Sequence, residues 1–259
     1  MFPAEQPNCD ESIENQFAKT LVSHDIFFEL VFQLKKVACA FMMFLLPLTL
    51  QKQLDIKELR ISVRRFRDES FNESRADMVY EIPIKNSKDK HIKVYFVIEH
   101  KSYNDSHPMS QLFNYEKQII DAEIELAKKE KRYTKDFKLP PIILIIFHHG
   151  EGIYTGSVEL RDEFFQIEGL ESSLLLNQRA IVFELSSMGK SDLPRDPDVP
   201  ELYVALRVMQ TILSKNFGSV ILEEDLFAEL KPHSNDPEVR KFAHFFLNYV
   251  LDSNRYLTD

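Results

Sequence analysis

The 259-residue sequence has no tryptophan, two cysteines and six glycines, and its most apolar stretch is brief. Two cysteines, Cys9 and Cys39, exclude a disulfide scaffold or a cysteine-based metal knuckle and fit a reducing, intracellular setting. The apolar stretch Val37–Leu50 is interrupted by Pro47 and falls short of the ~20 residues that a membrane-spanning helix needs. It reads as a buried core helix, not a span. The first residues are polar and acidic, unlike a secretory leader. These absences give the expectation of a soluble, cytoplasmic protein with no membrane partner.

What is present is an ordinary globular mixture, 44% hydrophobic and 28% charged, able to form a core without staples. The formal net charge of −9 argues at first against a nucleic-acid partner. The distribution changes that reading. Residues 151–259 hold 10 basic and 19 acidic residues, whereas residues 51–150 hold 19 basic and 16 acidic ones. The acidic excess is C-terminal, and a global pI does not decide what a local surface binds.

With glycine scarce, proline supplies the punctuation, at Pro140-Pro141 and in the charged stretch 193–200. The spacing of Phe27, Phe28, Val31, Phe32 and Leu34 predicts a helix over 24–46. Alternation at Leu59, Ile61 and Val63 predicts a strand, followed by strands at 75–83 and 92–99 joined by the polar loop 86–90. Helical spacing returns over 109–131. The nearly continuous apolar run 141–147 is that of a strand buried on both faces, and 179–185 resembles another. From Glu201 onward the pattern is helical. The order predicts an α/β fold with a mixed sheet covered by helices. Its expected divisions are an N-terminal extension (1–23), a main domain (24–192) and an acidic helical C-terminal region (193–259).

One constellation carries chemistry. Glu99 and Lys101, two apart on a strand, share a face. About Lys88 at the loop centre, Asp77 and Glu99 are equidistant and so stand opposite each other. Two carboxylates and an ammonium then meet at one end of a hairpin. Such a set suits Mg²⁺, a hard cation held by one or two carboxylates plus water and phosphate, for phosphodiester cleavage. The bland alternative is a cross-strand salt-bridge cluster on a solvated face.

Seven segments in order carry a resemblance: His24-Asp25 with Phe27-Phe28; Leu46-Pro47; Arg75-Ala76-Asp77; Val97-Ile98-Glu99-His100-Lys101-Ser102; Gln111-Leu112 with Tyr115; Pro140-Pro141; and Phe147-His148-His149-Gly150-Glu151. In these the chain resembles the recombination-promoting nuclease/putative transposase group (YhgA-like) of the PD-(D/E)XK nuclease superfamily. The resemblance weakens after about residue 190. It implies a restriction-endonuclease-like αβββαβ core and a metal-dependent DNA endonuclease. Asp77 and Glu99 would be ligands for Mg²⁺, with Mn²⁺ as a substitute, and the His100 carbonyl a further ligand. Lys101 would be the motif lysine, and the products would carry 5′-phosphate and 3′-hydroxyl ends. Lys101 stands where this family often has Gln, returning to the wider superfamily pattern. Gln111 and Asn114 stand where arginines are frequent, which counts against DNA contact by that helix. The alternative is a catalytically inactive nuclease-fold module that binds nucleic acid or protein.

Other residues divide between structural and functional readings. Asp25 and Glu29, one turn apart, are a helix N-terminal charge or accessory ligands. Gln111 and Tyr115 share a helical face, as packing or as site residues. His148 and His149 point to opposite strand faces and so do not readily share one ion; they are expected in a strand-end turn near the site. The run Lys128, Lys129, Lys131 and Arg132 is either a solvated helix end or a phosphate contact. The C-terminal helices are the expected place for self-association.

Overall fold

In the computed structural model, which describes residues 24–62, 66–67, 73–74, 77–87, 92–212 and 224–256, the single helix expected over 24–46 is two. They are α1 (His24–Phe32) and α2 (Lys35–Leu45), followed by the short α3 (Leu48–Gln53). The break has a cause in the pattern. Phe27, Phe28, Val31 and Phe32 are buried on α1, and Val37, Ala38, Phe41 and Met42 on α2. At 3.6 residues per turn these two stripes centre roughly 80° apart on one continuous helix. A straight helix could not bury both against one surface. The Tyr80 hydroxyl takes up the freed end of α1, donating to the Phe32 carbonyl at 2.8 Å. Pro47 then imposes extended backbone on Leu46 and ends α2.

Among the described residues the main sheet has five strands in the order β1-β4-β5-β6-β7. These are β1 (Arg60–Ile61), β4 (Met78–Pro83), β5 (Lys93–Lys101), β6 (Ile142–His148) and β7 (Ala180–Glu184). A separate antiparallel ribbon, β2 (Phe66–Arg67) with β3 (Glu73–Ser74), intervenes in the chain. β1, β4 and β5 pair antiparallel; β5, β6 and β7 pair parallel. α4 (Pro108–Lys129) makes the crossover that parallel β5 and β6 require. Helices α5 (Pro200–Ile212), α6 (Glu224–Leu230) and α7 (Pro237–Tyr256) complete the chain. This is the mixed α/β architecture with helical parts. Residues 1–23, Val63, Arg75, Ala76 and the loop centre Lys88 lie outside the described residues.

The sheet divides two cores because strand side chains alternate. On one face Phe96, Ile98, Ile145 and Phe147 pack with α1, α2, α5 and α7. On the other, Tyr95, Val97, Leu144 and Ile146 pack with Met109, Leu112, Tyr115 and Ile119 of α4. Leu202, Leu206, Phe242 and Tyr249 belong to the first core together with Phe27 and Phe41, so residues on both sides of position 193 share it. Lys36 engages part of the C-terminal acidic excess, pairing with buried Glu201 at 2.6 Å and Asp236 at 3.0 Å. No helix among the described residues is long and apolar enough to cross a membrane.

Candidate active site

The β4–β5 ladder fixes the first two residues. Met78 faces Ile98 and each later pair keeps that register. Continued by one residue, it sets Asp77 against Glu99, the arrangement expected from the spacing about Lys88. Glu99 and Lys101 follow Tyr95 and Val97 on the face that α4 covers. The Asp77 carboxylate accepts the backbone N–H of His100 at 2.7 Å.

Glu99 is 4% exposed. Its Oε1 is 3.2 Å from the Lys101 ammonium, while its buried Oε2 has no hydrogen-bond partner. Burial, and then the charge of Asp77, push the Glu99 carboxyl up to about 8. Asp77 is also raised, by burial first, against the stabilising N–H of His100. Two acids therefore compete over one negative charge.

The Lys101 ammonium is held at 3.1 Å by Gln111 Oε1 and at 2.9 Å by Asp105 Oδ2, besides Glu99. Burial works against its charge, but Glu99 and Asp105 outweigh that and raise its pKa. Asp105 secures the proton whichever form Glu99 takes. Gln111 and Tyr115 lie one turn apart on α4, and the Gln111 amide donates to the Tyr115 hydroxyl at 2.8 Å. Burial first, and Glu99 second, push Tyr115 up to about 12, so it is a neutral hydroxyl at working pH. Gln111 and Tyr115 thus join Lys101 and Glu99 in one connected network.

The other accessory residues stand along α1 and around His100, Asp25 near enough for its charge to help raise Asp77. The His100 ring projects to the opposite face, stacked on Phe28 and on His149, each with centroids 4.5 Å apart. Asp25, in the first turn of α1, meets His100 Nδ1 at 3.1 Å, and that hydrogen bond lowers its pKa. Glu29 bonds Gln33 along its own helix. His148 and His149 part company as expected. His148 Nδ1 meets Glu184 Oε1 at 2.8 Å, whereas His149 packs edge-on to His24 and stacks on His100. Burial drives His149 down to about 2, so it is neutral.

Three contributors escape sequence reasoning. Asp105 stands four residues after Lys101, a spacing with no meaning until the strand ends and the chain turns back. Glu163 caps α4 from a distant segment, accepting the N–H groups of Met109 at 2.8 Å and Ser110 at 3.0 Å, where His107 offers no side-chain cap. Glu184 anchors His148 and also accepts the Tyr154 N–H at 2.6 Å. The available signal was glycine. An added Cβ at Gly150 would stand 2.5 Å from the Ser102 carbonyl oxygen, and one at Gly156 2.4 Å from that of Asp105. Both glycines let the loop after β6 press on the loop after β5.

The basic run closes α4. Lys128 pairs with Glu125 at 2.8 Å and Arg132 with Glu130 at 2.6 Å. At 1.5 Å per residue Lys128 lies about 25 Å along the helix from Gln111.

Among the described residues, no three His, Cys, Asp or Glu side chains form a metal-binding group. The capacity of this cluster is two carboxylates, which suits a hard cation that keeps several waters. Excess acid, a carboxylate oxygen without a hydrogen bond of normal geometry and a charged amine in one cluster suit charge stabilisation at an anionic substrate.

Comparison with known proteins identifies the family. The family model described as "Putative transposase, YhgA-like" matches residues 22–238. The chain is also 29% identical over 146 residues to the recombination-promoting nuclease RpnD of Escherichia coli O157:H7, an alignment covering 56% of this chain and 52% of that protein. The chain thus spans about half the length of this curated relative. No solved structure matches.

Proposed function

The chain belongs to the YhgA-like putative transposase family, and from that premise we propose that it is a metal-dependent DNA endonuclease of the PD-(D/E)XK kind. One observation carries the reading: Asp77 and Glu99 fall opposite each other when the β4–β5 register is continued by one residue, with the charge of Asp77 raising Glu99 and Glu99 Oε2 buried without a hydrogen bond of normal geometry. A burial that raises the cost of two charges is answered by a cation. Asp77, Glu99 and the His100 carbonyl would hold Mg²⁺, or Mn²⁺ in its place. When bound, the ion supplies Lewis-acid polarisation of phosphate and a more acidic water.

The remaining work falls to the protein. Lys101 stands beside Glu99 and offsets the negative charge that grows on the phosphate oxygens. Gln111, braced by Tyr115, fixes where the ammonium points. His100, clamped between Phe28 and His149, holds its main-chain N–H on Asp77 and so sets that carboxylate's orientation. The relative's name, recombination-promoting nuclease, supports the same substrate class.

The test is nicking of supercoiled plasmid by purified protein. The reading requires cleavage with Mg²⁺, none with chelator, and none from Asp77→Ala prepared in parallel. A second reading, a binding module without catalysis, is favoured by one fact: three acceptors already stand within 3.2 Å of the Lys101 ammonium. DNA binding without cleavage by any divalent metal would select it.

A further inference from the structure

An ammonium has three N–H donors. On Lys101 one goes to Gln111 Oε1 at 3.1 Å, and Glu99 Oε1 and Asp105 Oδ2 are ion-paired with the same ammonium at 3.2 and 2.9 Å. Three acceptors already crowd the ammonium, so one must yield before a phosphate oxygen can take its place. The three are not equal. Gln111 is neutral and tied to Tyr115. Glu99 is 5% exposed at its side chain, at the closed side of the cluster. Asp105 is the shortest contact and the open one, 24% exposed, on the loop between β5 and α4. To an ammonium, its carboxylate oxygen offers what a phosphodiester oxygen offers, an anionic acceptor at hydrogen-bond distance.

Resting on the nuclease reading, we propose that Asp105 is a positioning residue that occupies the substrate phosphate's place on Lys101, and that DNA engages the site by displacing it. The loop is built for this exchange. Thr155 N–H donates to Asn104 Oδ1 at 2.7 Å, and His107 N–H donates to Asp105 Oδ1 at 3.0 Å. Gly150 and Gly156 press the neighbouring segment against the carbonyls of Ser102 and Asp105. Release is a side-chain rotation of Asp105 that gives up the His107 N–H along with the Lys101 contact, a fast step that leaves the backbone in place. Exchange of one anion for another also leaves the charge around Lys101 balanced, whereas phosphate added beside Asp105 would crowd two anions on one cation.

Asp105→Asn tests this. The amide keeps the size and can still accept the His107 N–H, but its single oxygen cannot serve Lys101 as well. KM for DNA should fall about 3- to 5-fold, the scale of one partly exposed ion pair, with kcat undiminished. The gain should vanish in the Lys101→Gln background, measured as a double-mutant cycle. Asp105→Ser, which also retains an acceptor for His107, should behave alike. A fall in kcat at unchanged KM would overturn the proposal, because Asp105 would then be supporting Lys101 in its working pose. An equal gain with Lys101 already replaced would also overturn it, the effect being bulk charge. The same cycle on DNA affinity in EDTA separates the two readings. Coupling between positions 101 and 105 without any wild-type cleavage keeps the displacement and removes the nuclease; cleavage with zero coupling does the reverse.

Discussion

One face of β5 carries two clusters built from the same parts. Near its start, Lys93 lies 3.0 Å from Glu81 and 3.2 Å from Glu123, and the Tyr95 hydroxyl donates to Glu123 at 2.7 Å. At its end, Lys101 lies between Glu99 and Asp105, with Gln111 and Tyr115 behind. Each has one lysine, flanking acids, a tyrosine and a contribution from α4. They differ in balance. The first sets two carboxylates around one ammonium with a hydroxyl to share the load. The second adds Asp77, which raises Glu99 further, and leaves Glu99 Oε2 without a partner. A salt-bridge cluster and the proposed reactive site are therefore not distinguished by residue types; what separates them is the added acid, Asp77, that raises Glu99.

Substitution at each end should separate activity from stability. Asp77→Ala should reduce metal-dependent nicking to background while costing less than about 1 kcal/mol of stability, because a raised carboxyl gains little from its setting. Glu123→Ala should do the opposite. It leaves Lys93 half-compensated and removes the carboxylate that accepts the Tyr95 hydroxyl, a loss of about 1–3 kcal/mol in denaturant melts with nicking retained below the new midpoint. If Glu123→Ala abolished cleavage at unchanged stability, the two clusters would be one functional unit and the contrast would fail.

Lys101→Gln comes next in size. If the ammonium stabilises developing charge, its loss should lower kcat about 10²- to 10³-fold. Gln, the residue frequent here in the resembled group, keeps an acceptor and donor but no charge. A loss well under tenfold, with Mg²⁺ dependence intact, would assign position 101 to orienting water.

Protonation sharpens the comparison further. Burial and the Asp77 charge push Glu99 up to about 8 from the ordinary carboxyl value of 4.5, so the folded state binds more protons between them. Its unfavourable contribution is absent below pH 4.5 and grows as pH rises toward 8. Glu99→Gln, which mimics the protonated form, should exceed wild type in stability by about 1–3 kcal/mol at pH 8 in EDTA, with the gap closing toward pH 4.5. His149 acts in the opposite sense. Its folded pKa is depressed, so stability is lost as pH falls below 6.5, in both proteins alike. A pH-independent gap between Glu99→Gln and wild type would mean that Glu99 ionises freely and that the orphan oxygen is not the site's defining feature.

Legibility in the sequence followed the range of the interactions. Strand alternation and the even spacing about Lys88 made the Asp77–Glu99 pairing readable, because antiparallel register propagates from a hairpin. Gln111 and Tyr115 were readable as one face of a helix, though not which strand residue they would meet. The break between Phe32 and Lys35 was not, since apolar residues on all sides of a segment do not say where its axis turns. Asp105, Glu163 and Glu184 were invisible for a different reason. Their partners are contributed by segments that only tertiary packing brings together, as when Glu163 caps a helix that begins 55 residues earlier at Pro108.

The smallest expected effect concerns the basic run. Lys128 and Arg132 have carboxylates of their own, Glu125 and Glu130, and the run stands about 25 Å along α4 from Gln111. Lys128 is held by Glu125, and the whole run stands far along α4 from the cluster. Each phosphate contact contributes about 0.9 to the slope of log affinity against log salt. Replacing Lys128, Lys129 and Lys131 together by Gln should therefore change that slope by less than about 1, where three true contacts would remove nearly 3. The measurement is DNA affinity in EDTA across a salt series, for wild type and the triple variant. A drop near 3 would show that all three lysines contact phosphate, Lys128 leaving Glu125 to do so, and would extend the DNA path along the whole of α4.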